Sequence, residues 1–118
     1  MYINVELDPT IGDEIKKKRL VVILNAGHQK HLRLAIVVLI TGWNPQLEKN
    51  PFFVCLEPGA TNGLKKISVV DCFQMQAISH KRFTEKIGDI GEDDMTFIKR
   101  AIALILDIDP EDCFGDYP

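Results

Sequence analysis

The 118-residue sequence predicts a mainly β domain, a small, closed and strongly bent antiparallel sheet followed by one C-terminal helix. Two observations lead to this class. Short apolar, β-branched runs are separated by loops rich in glycine and proline, which is typical of small antiparallel barrels. After Gly91 the apolar residues instead recur every three or four positions, as in an amphipathic helix. A chain of this length and 46% hydrophobic content can bury one core without disulfides or metal.

Six segments have the pattern of strands. Residues 2–7 alternate, with Ile3, Val5 and Leu7 on one face, which indicates a half-buried strand. The continuous apolar run that opens at Arg19 indicates a strand buried on both faces and extending to about Ala26. Further strands are expected at 32–41, 52–56, 67–75 and 82–87.

The helix is expected to begin after Gly91, with three acidic residues, 92–94, complementing the dipole of its first turn. Its apolar stripe must pack on the barrel, and Pro110 is expected to end the helical region. From Asp107 onward the sequence is acidic. We therefore divide the chain into a domain at 1–106 and an acidic C-terminal tail at 107–118.

Composition and charge indicate which classes of protein this chain can belong to. The net charge of −3 provides no overall basic field, although lysines and arginines cluster at 16–19, 65–66 and 81–82. Three widely spaced cysteines indicate reduced thiols in a cytoplasmic protein. No secretory signal opens the chain, and the apolar run at 34–40 is too short to span a bilayer. His28 and His31 have no nearby thiol or carboxylate cluster, so we expect no metal and no cofactor.

The loop at 8–18 is the best candidate for a binding site. Pro9 cannot donate to a sheet ladder and Gly12 permits a positive φ, so the chain must leave the sheet between them. Arg19 stands where the chain re-enters the sheet, a suitable position for meeting a phosphate. The polar and basic loop residues of interest are Thr10, Glu14, Lys17 and Lys18.

Seven segments, in chain order, match the pattern of one family. They are Leu7-Asp8-Pro9-Thr10-Ile11-Gly12-Asp13-Glu14, Arg19 heading an apolar strand, Val37-Val38-Leu39-Ile40-Thr41, Pro51-Phe52-Phe53-Val54, Gly63-Leu64-Lys65-Lys66-Ile67-Ser68-Val69-Val70, Cys72 with Gln74, and Ile90-Gly91-Glu92-Asp93-Asp94. Together they resemble the MazF/PemK (Kid) toxins of bacterial toxin–antitoxin systems. The resemblance implies an SH3-like barrel with a C-terminal helix, as in MazF and CcdB. It also implies a homodimer and metal-independent, sequence-specific cleavage of single-stranded mRNA by attack of the 2′-hydroxyl. The expected partner is an antitoxin whose acidic, partly disordered tail occupies the RNA groove.

The resemblance also implies roles for individual residues. Arg19 matches the main catalytic arginine, and Thr41 matches the threonine whose hydroxyl lies near the scissile phosphate. Glu14 matches a loop carboxylate near the same site, and Gln74 matches a glutamine near the base-binding surface. With these we group, as substrate-binding candidates, Thr10, Lys17, Lys18 and Trp43.

Each assignment has a structural alternative. Arg19 could be a solvated strand end, and Glu14 could pair with the neighbouring lysines. Trp43, beside Thr41, could stack on a splayed base or anchor its loop to the barrel. Gln74 could be a satisfied edge residue.

The chain also departs from the family pattern. Leu20 replaces the usual proline, Gly42 the usual serine and Phe73 the usual aspartate. The Kid branch assigns acid–base work to an arginine–aspartate pair, and Asp71 and Phe73 occupy those two positions here. The catalytic pair that remains is Arg19 with Thr41. A different interpretation is a non-catalytic protein that binds a protein partner, as CcdB-type toxins bind a topoisomerase, or an SH3-like interaction module.

Overall fold

The computed structural model describes residues 2–6, 18–24, 33–47 and 49–109; for residues 2–6 and 18 the description is of the backbone alone. Six strands and one α-helix make up this part of the chain. The strands are β1 (Tyr2–Glu6), β2 (Lys18–Ile23), β3 (Leu34–Gly42), β4 (Phe53–Leu56), β5 (Ser68–Ser79) and β6 (Phe83–Gly88), and the helix is α1 (Glu92–Ile105). Short 3-10 helices occupy Pro45–Leu47 and His80–Arg82.

The strands form one antiparallel sheet in the order β4-β5-β3-β2-β1-β6. The predicted mainly β fold with a C-terminal helix is therefore confirmed. Unlike the closed barrel that we expected, the ladder of the described strands has two edges, β4 and β6. The turn that follows β4 nevertheless reaches the end of β6, where the backbone N–H of Asp89 donates to the carbonyl oxygen of Thr61 at 2.9 Å. The sheet thus curls towards closure through a loop contact.

Both faces of the central strands are packed, which explains why β2 and β3 are continuously apolar. On one face, Val22 and Val38 belong to a core that α1 covers with Ile98 and Ala101. On the other face is a second cluster of buried side chains: Val21, Ala35, Val37, Leu39 and Ile78. Because neighbouring residues in a strand point to opposite faces, β2 must be apolar at consecutive positions to serve both clusters.

Two strands differ from the expected bounds in an informative way. We expected a strand at 67–75, but β5 continues to Ser79 and pairs along the whole of β3. In the second half of β5, buried and exposed side chains alternate less clearly, because Gln76 and Ala77 are both exposed while Ile78 is buried. The edge strand β4 is short, and its ladder with β5 begins at Phe53.

The helix begins where the sequence predicts, with Gly91 as N-cap. It ends before Pro110, which is a correction to our expectation. Leu106 is the C-cap, and Asp107 has a φ of 55°, so the backbone turns in the left-handed region. Asp94 does not simply complement the dipole, since burial, followed by the charges of Asp93 and Glu57, raises its pKa.

The turn after β4 is organised by the buried side chain of Asn62. Its Oδ1 accepts from the backbone N–H groups of Gly59 and Leu64, both at 3.0 Å, and its Nδ2 donates to the carbonyl oxygen of Glu57 at 2.8 Å. These bonds satisfy backbone groups that a compact turn would otherwise leave unpaired. They also fix the position of the Asn62 backbone, against which Gly88 of β6 lies.

Gly88→Ala is expected to destabilise the fold by about 1–3 kcal/mol, the usual cost of overpacking. An added Cβ would lie 2.5 Å from the carbonyl carbon of Asn62 and 2.5 Å from the carbonyl oxygen of Thr61. These are backbone atoms that cannot rotate away. Urea unfolding followed by circular dichroism measures the change.

Gly42→Ala is the matched control, because a Cβ there would meet no atom within 4 Å. Equal stabilities for the two variants would show that the turn does not hold β6 as described.

Candidate active site

Arg19 and Thr41 lie at the same end and on the same face of the sheet. In the ladder between β2 and β3, Val21 pairs with Leu39 and Val22 with Val38. When this register is extended by two residues, towards the start of β2 and the end of β3, Arg19 lies opposite Thr41. Since side chains alternate across a strand, both share the face of Val21 and Leu39. Arg19 is exposed and Thr41 is half-buried.

The surroundings of Thr41 leave room for a ligand. Its hydroxyl donates to the carbonyl oxygen of Gly42 at 3.2 Å, a long bond at an exposed site. Gly42 itself is exposed, and an added Cβ would meet nothing within 4 Å. A threonine hydroxyl also has two lone pairs and a rotatable proton, so it can exchange this local bond for one to a substrate oxygen.

Asp71 stabilises a bulge of three residues in β5. The register with β3 shifts between Val38, which pairs with Met75, and Leu39, which pairs with Asp71. Residues 72–74 are consequently extra on β5. The Asp71 carboxylate accepts from the backbone N–H of Phe73 at 3.1 Å and from Nε2 of Gln74 at 2.7 Å. It thereby gives the backbone N–H of Phe73 a partner that the ladder does not provide at the bulge.

The bulge determines where two sequence-predicted positions lie. Gln74 is exposed, and one N–H of its amide donates to Asp71, so its carbonyl oxygen and its second N–H are available to a ligand. Phe73 is 57% exposed and meets the ring of Phe52 edge-on, with centroids 4.9 Å apart. The family's aspartate is here an aromatic surface residue.

Trp43 lies in the loop after β3 and is 42% exposed. Of the predicted site residues between 8 and 18, only Lys18 lies within the described part of the chain. The backbone of Lys18 pairs with Glu6 at the start of β2. Thr10, Glu14 and Lys17 lie outside the described residues, as do His28, His31 and most of the acidic tail. In the part of the chain that the structure describes, no group of three histidine, cysteine or carboxylate side chains could hold a metal ion.

The residues missed in the sequence are those that shape the site. Asp71 was read only as a departure from the family pattern, yet its carboxylate organises the bulge. The role of Asn62 in the turn after β4 was not predicted from the sequence. The signal for both residues is their type, since aspartate and asparagine are the residues that bond to backbone N–H groups two or three positions away.

Comparisons with known proteins identify the family. The sequence model of a family described as PemK-like, MazF-like toxin of type II toxin–antitoxin system matches residues 3–106. This chain belongs to that toxin family. The resemblance inferred from the sequence motifs is therefore confirmed, and the match spans β1 to α1.

Solved structures agree with this assignment of the chain to the PemK/MazF-like toxins. It is similar to the Mycobacterium tuberculosis toxin MazF-mt6, with 27% identity, a TM-score of 0.73, and 92% of this chain and 97% of that chain covered. MazF in a MazE-MazF structure from Deinococcus radiodurans gives a TM-score of 0.74 at 17% identity, covering 92% and 93%. This second likeness concerns the fold alone. A comparison with curated protein sequences gave no match.

No helix among the described residues of this PemK/MazF-like chain is long and apolar enough to cross a membrane.

Asp71→Ala is expected to cost about 2–4 kcal/mol of unfolding free energy, because it removes two hydrogen bonds to a charged acceptor and leaves the Phe73 N–H without a partner in a half-buried bulge. Gln74→Ala, which removes only one of these bonds at an exposed side chain, should cost less than about 1 kcal/mol. Urea unfolding of both variants tests this difference. Similar losses would mean that the carboxylate does not hold the bulge.

The two described cysteines should differ in reactivity. Cys72 is 1% exposed, and burial, with a smaller contribution from the Asp71 charge, raises the pKa of its thiol to about 11. Cys55 is exposed. At pH 8, alkylation with N-ethylmaleimide followed by peptide mapping should modify Cys55 and spare Cys72 until urea unfolds the chain.

The raised pKa also sets a pH dependence. Because the folded thiol loses its proton only near pH 11 while the unfolded thiol does so near 9.0, the contribution of Cys72 to stability is complete below pH 9. It is lost as the pH rises through 11, so the wild type should lose more stability between pH 8 and 11 than Cys72→Ala. Equal losses would contradict this.

Proposed function

We propose that this chain is the toxin of a type II toxin–antitoxin pair and an endoribonuclease that cleaves single-stranded mRNA in the cytoplasm. The observation that carries the proposal is the shared register of Arg19 and Thr41 in a PemK/MazF-like chain. It supports a guanidinium and a hydroxyl side by side at the exposed end of one face of the sheet. The toxin domain is residues 1–106, and the acidic tail follows at 107–118.

RNA carries its own nucleophile. Its 2′-hydroxyl attacks the adjacent phosphorus, the bond to the 5′-oxygen of the next nucleotide breaks, and the products are a 2′,3′-cyclic phosphate and a 5′-hydroxyl. This route needs a proton acceptor, a proton donor and a positive group for the charge on the phosphoryl oxygens. Side chains can supply all three, so the proposed reaction is independent of metal.

Arg19 supplies the positive group. Its planar fork of donors matches two phosphate oxygens, and as a strand residue it is held more rigidly than a loop residue would be. Arg19 also acts as the source of the proton that the leaving 5′-oxygen receives. Thr41 adds a neutral hydrogen bond that strengthens as charge develops in the transition state.

Glu14 is assigned as the base for the 2′-hydroxyl or as the group that orients Arg19. The remaining candidates, Thr10, Lys17, Lys18, Trp43 and Gln74, bind the strand on either side of the scissile phosphate. The lysines neutralise neighbouring phosphates, which makes affinity depend on salt. Gln74 presents the two groups that Asp71 leaves unused, its carbonyl oxygen and its second N–H, to the edge of a base.

The proposed partners are a cognate antitoxin with an acidic disordered tail and a second copy of the toxin. A mycobacterial structure similar in fold to this chain is described as an endoribonuclease in complex with its cognate antitoxin. An acidic tail lying over Arg19 and the lysines would compete with RNA for the same positive groups.

A second candidate function is suggested by Phe73. This side chain, where the family has aspartate, is 57% exposed and packs edge-on against the half-buried ring of Phe52. Exposed aromatic residues are favoured at protein interfaces. The second candidate is therefore a toxin-fold protein without cleavage activity that acts by binding a protein partner, as in CcdB, or as an SH3-like module.

Incubation of the pure protein with a long single-stranded RNA in EDTA distinguishes the two functions. Cleavage should give 2′,3′-cyclic phosphate ends. Arg19→Ala should lower the rate by a hundredfold or more, since one preorganised donor is worth about 10²–10³ in rate. Thr41→Val should lower it by about tenfold or more, whereas Thr41→Ser should retain most activity.

Arg100→Ala is the matched control, because it removes an exposed guanidinium from α1. Intact RNA with the wild-type protein under every condition would overturn the nuclease assignment and favour the protein-binding function.

A further inference from the structure

The incompletely closed sheet leaves a cleft between β6 and the turn after β4. These two segments meet where Gly88 lies against Asn62. Next along the chain from this contact, they border a cavity of about 350 Å³, a volume within the range of small-molecule sites. The start of β2 and the start of β5 complete its walls, and every lining residue belongs to the described part of the chain.

The floor of the cleft is apolar and continues the core that α1 covers. Leu64 is a buried member of that core, and Leu20 and Ile87 are partly buried side chains packed against it. Because side chains alternate along β2, Leu20 shares the face of Val22 and not that of Arg19. The cleft is therefore on the opposite face of the sheet from the residues assigned to RNA cleavage.

The rim of the cleft carries three charged side chains. Lys65 and Lys66 come from the turn and Glu85 from β6, and all three are exposed. Neither ammonium group forms an ion pair with a carboxylate of the described residues. Ser68 is buried below them, and its hydroxyl donates to the carbonyl oxygen of Lys66 at 3.1 Å, which ties the end of the turn to β5.

We propose that this cleft binds a small organic monocarboxylate. The hydrocarbon body of the ligand lies against Leu20, Leu64 and Ile87, and its carboxylate lies beside the two lysines. Apolar burial supplies most of the affinity, since it is the dominant favourable term in association, while exposed ion pairs add a smaller preference for an anion. The inference goes beyond the proposed nuclease function and does not depend on it.

The charges of the rim favour a single negative charge on the ligand. The two ammonium groups attract an anion, but the carboxylate of Glu85 repels a second negative charge such as that of a phosphate monoester. The shape favours a free small molecule over a protein segment. Because the contact between Gly88 and Asn62 closes one end of the cleft, it suits a short ligand better than a chain that must enter and leave.

Calorimetric titration with octanoate, octanamide and acetate tests the two halves of the site separately. Octanoate should bind. Octanamide, which lacks the charge, should bind about fivefold more weakly, and acetate, which lacks the hydrocarbon body, should show no binding at the same concentrations. Equal binding of octanoate and octanamide, or no binding of octanoate, would overturn the proposal.

Exposed charges can be exchanged without disturbing the fold. Lys65→Gln/Lys66→Gln should weaken octanoate binding about fivefold and leave octanamide binding unchanged. Glu85→Gln should act in the opposite direction, tightening octanoate and admitting octyl phosphate, which is mostly a dianion at pH 8. The matched control is Lys81→Gln/Lys99→Gln, which removes two exposed ammonium groups outside the cleft and should not change binding.

Methyl NMR locates the bound octanoate. The signals of Leu20, Leu64 and Ile87 should shift, whereas that of Leu104, which is 61% exposed on α1, should not. Equal shifts at Leu104 would show non-specific adsorption and overturn the site.

Two further results would assign the cleft to another occupant and overturn the proposal. The first is a set of shifts at Leu20, Leu64 and Ile87 that follows protein concentration without octanoate, which would indicate a second copy of the chain. The second is a response to a short peptide of alternating glutamate and leucine but none to octanoate, which would indicate a protein partner. The nuclease assignment stands under each of these results, because RNA cleavage is measured without octanoate.

Discussion

The register of β2 against β3 is the constraint on which the rest of this structure depends. Because side chains alternate with a period of two, a slip of one residue would move Arg19 and Thr41 to opposite faces of the sheet. Apolar alternation cannot set this register, since both faces of β2 and β3 are buried. It is set by the shapes of two cores at once, with Val22 and Val38 on one side and Val21 and Leu39 on the other.

Two side chains that accept hydrogen bonds stabilise the irregular parts of this sheet. Asp71 accepts hydrogen bonds from two of the three extra residues of β5, Phe73 and Gln74, and Asn62 accepts two from the backbone of the turn after β4. The first positions Gln74 and Phe73 at the surface, and the second brings the turn against Gly88 so that the sheet curls. A barrel-like site can thus form although the ladder has two edges.

The site combines rigid and open parts. The proposed reacting groups are on strands whose neighbours are buried, while the space beside Gly42 is empty. One face of the sheet thus ends in an exposed arginine and a half-buried threonine next to an unfilled space.

By itself, the sequence determined the type and the order of the secondary-structure elements. Apolar runs between glycine and proline loops predicted the strands, the change of period at Gly91 predicted the helix, and the order of the motifs predicted the family. Only the tertiary structure decided the bulge at 72–74, the extension of β5 to Ser79 and the end of the helix before Pro110. The physical reason is that local patterns record which residues are apolar or turn-forming. Pairing partners, bulges and cavities depend instead on contacts between residues far apart in the chain, such as Thr41 with Val69 and Gly88 with Asn62.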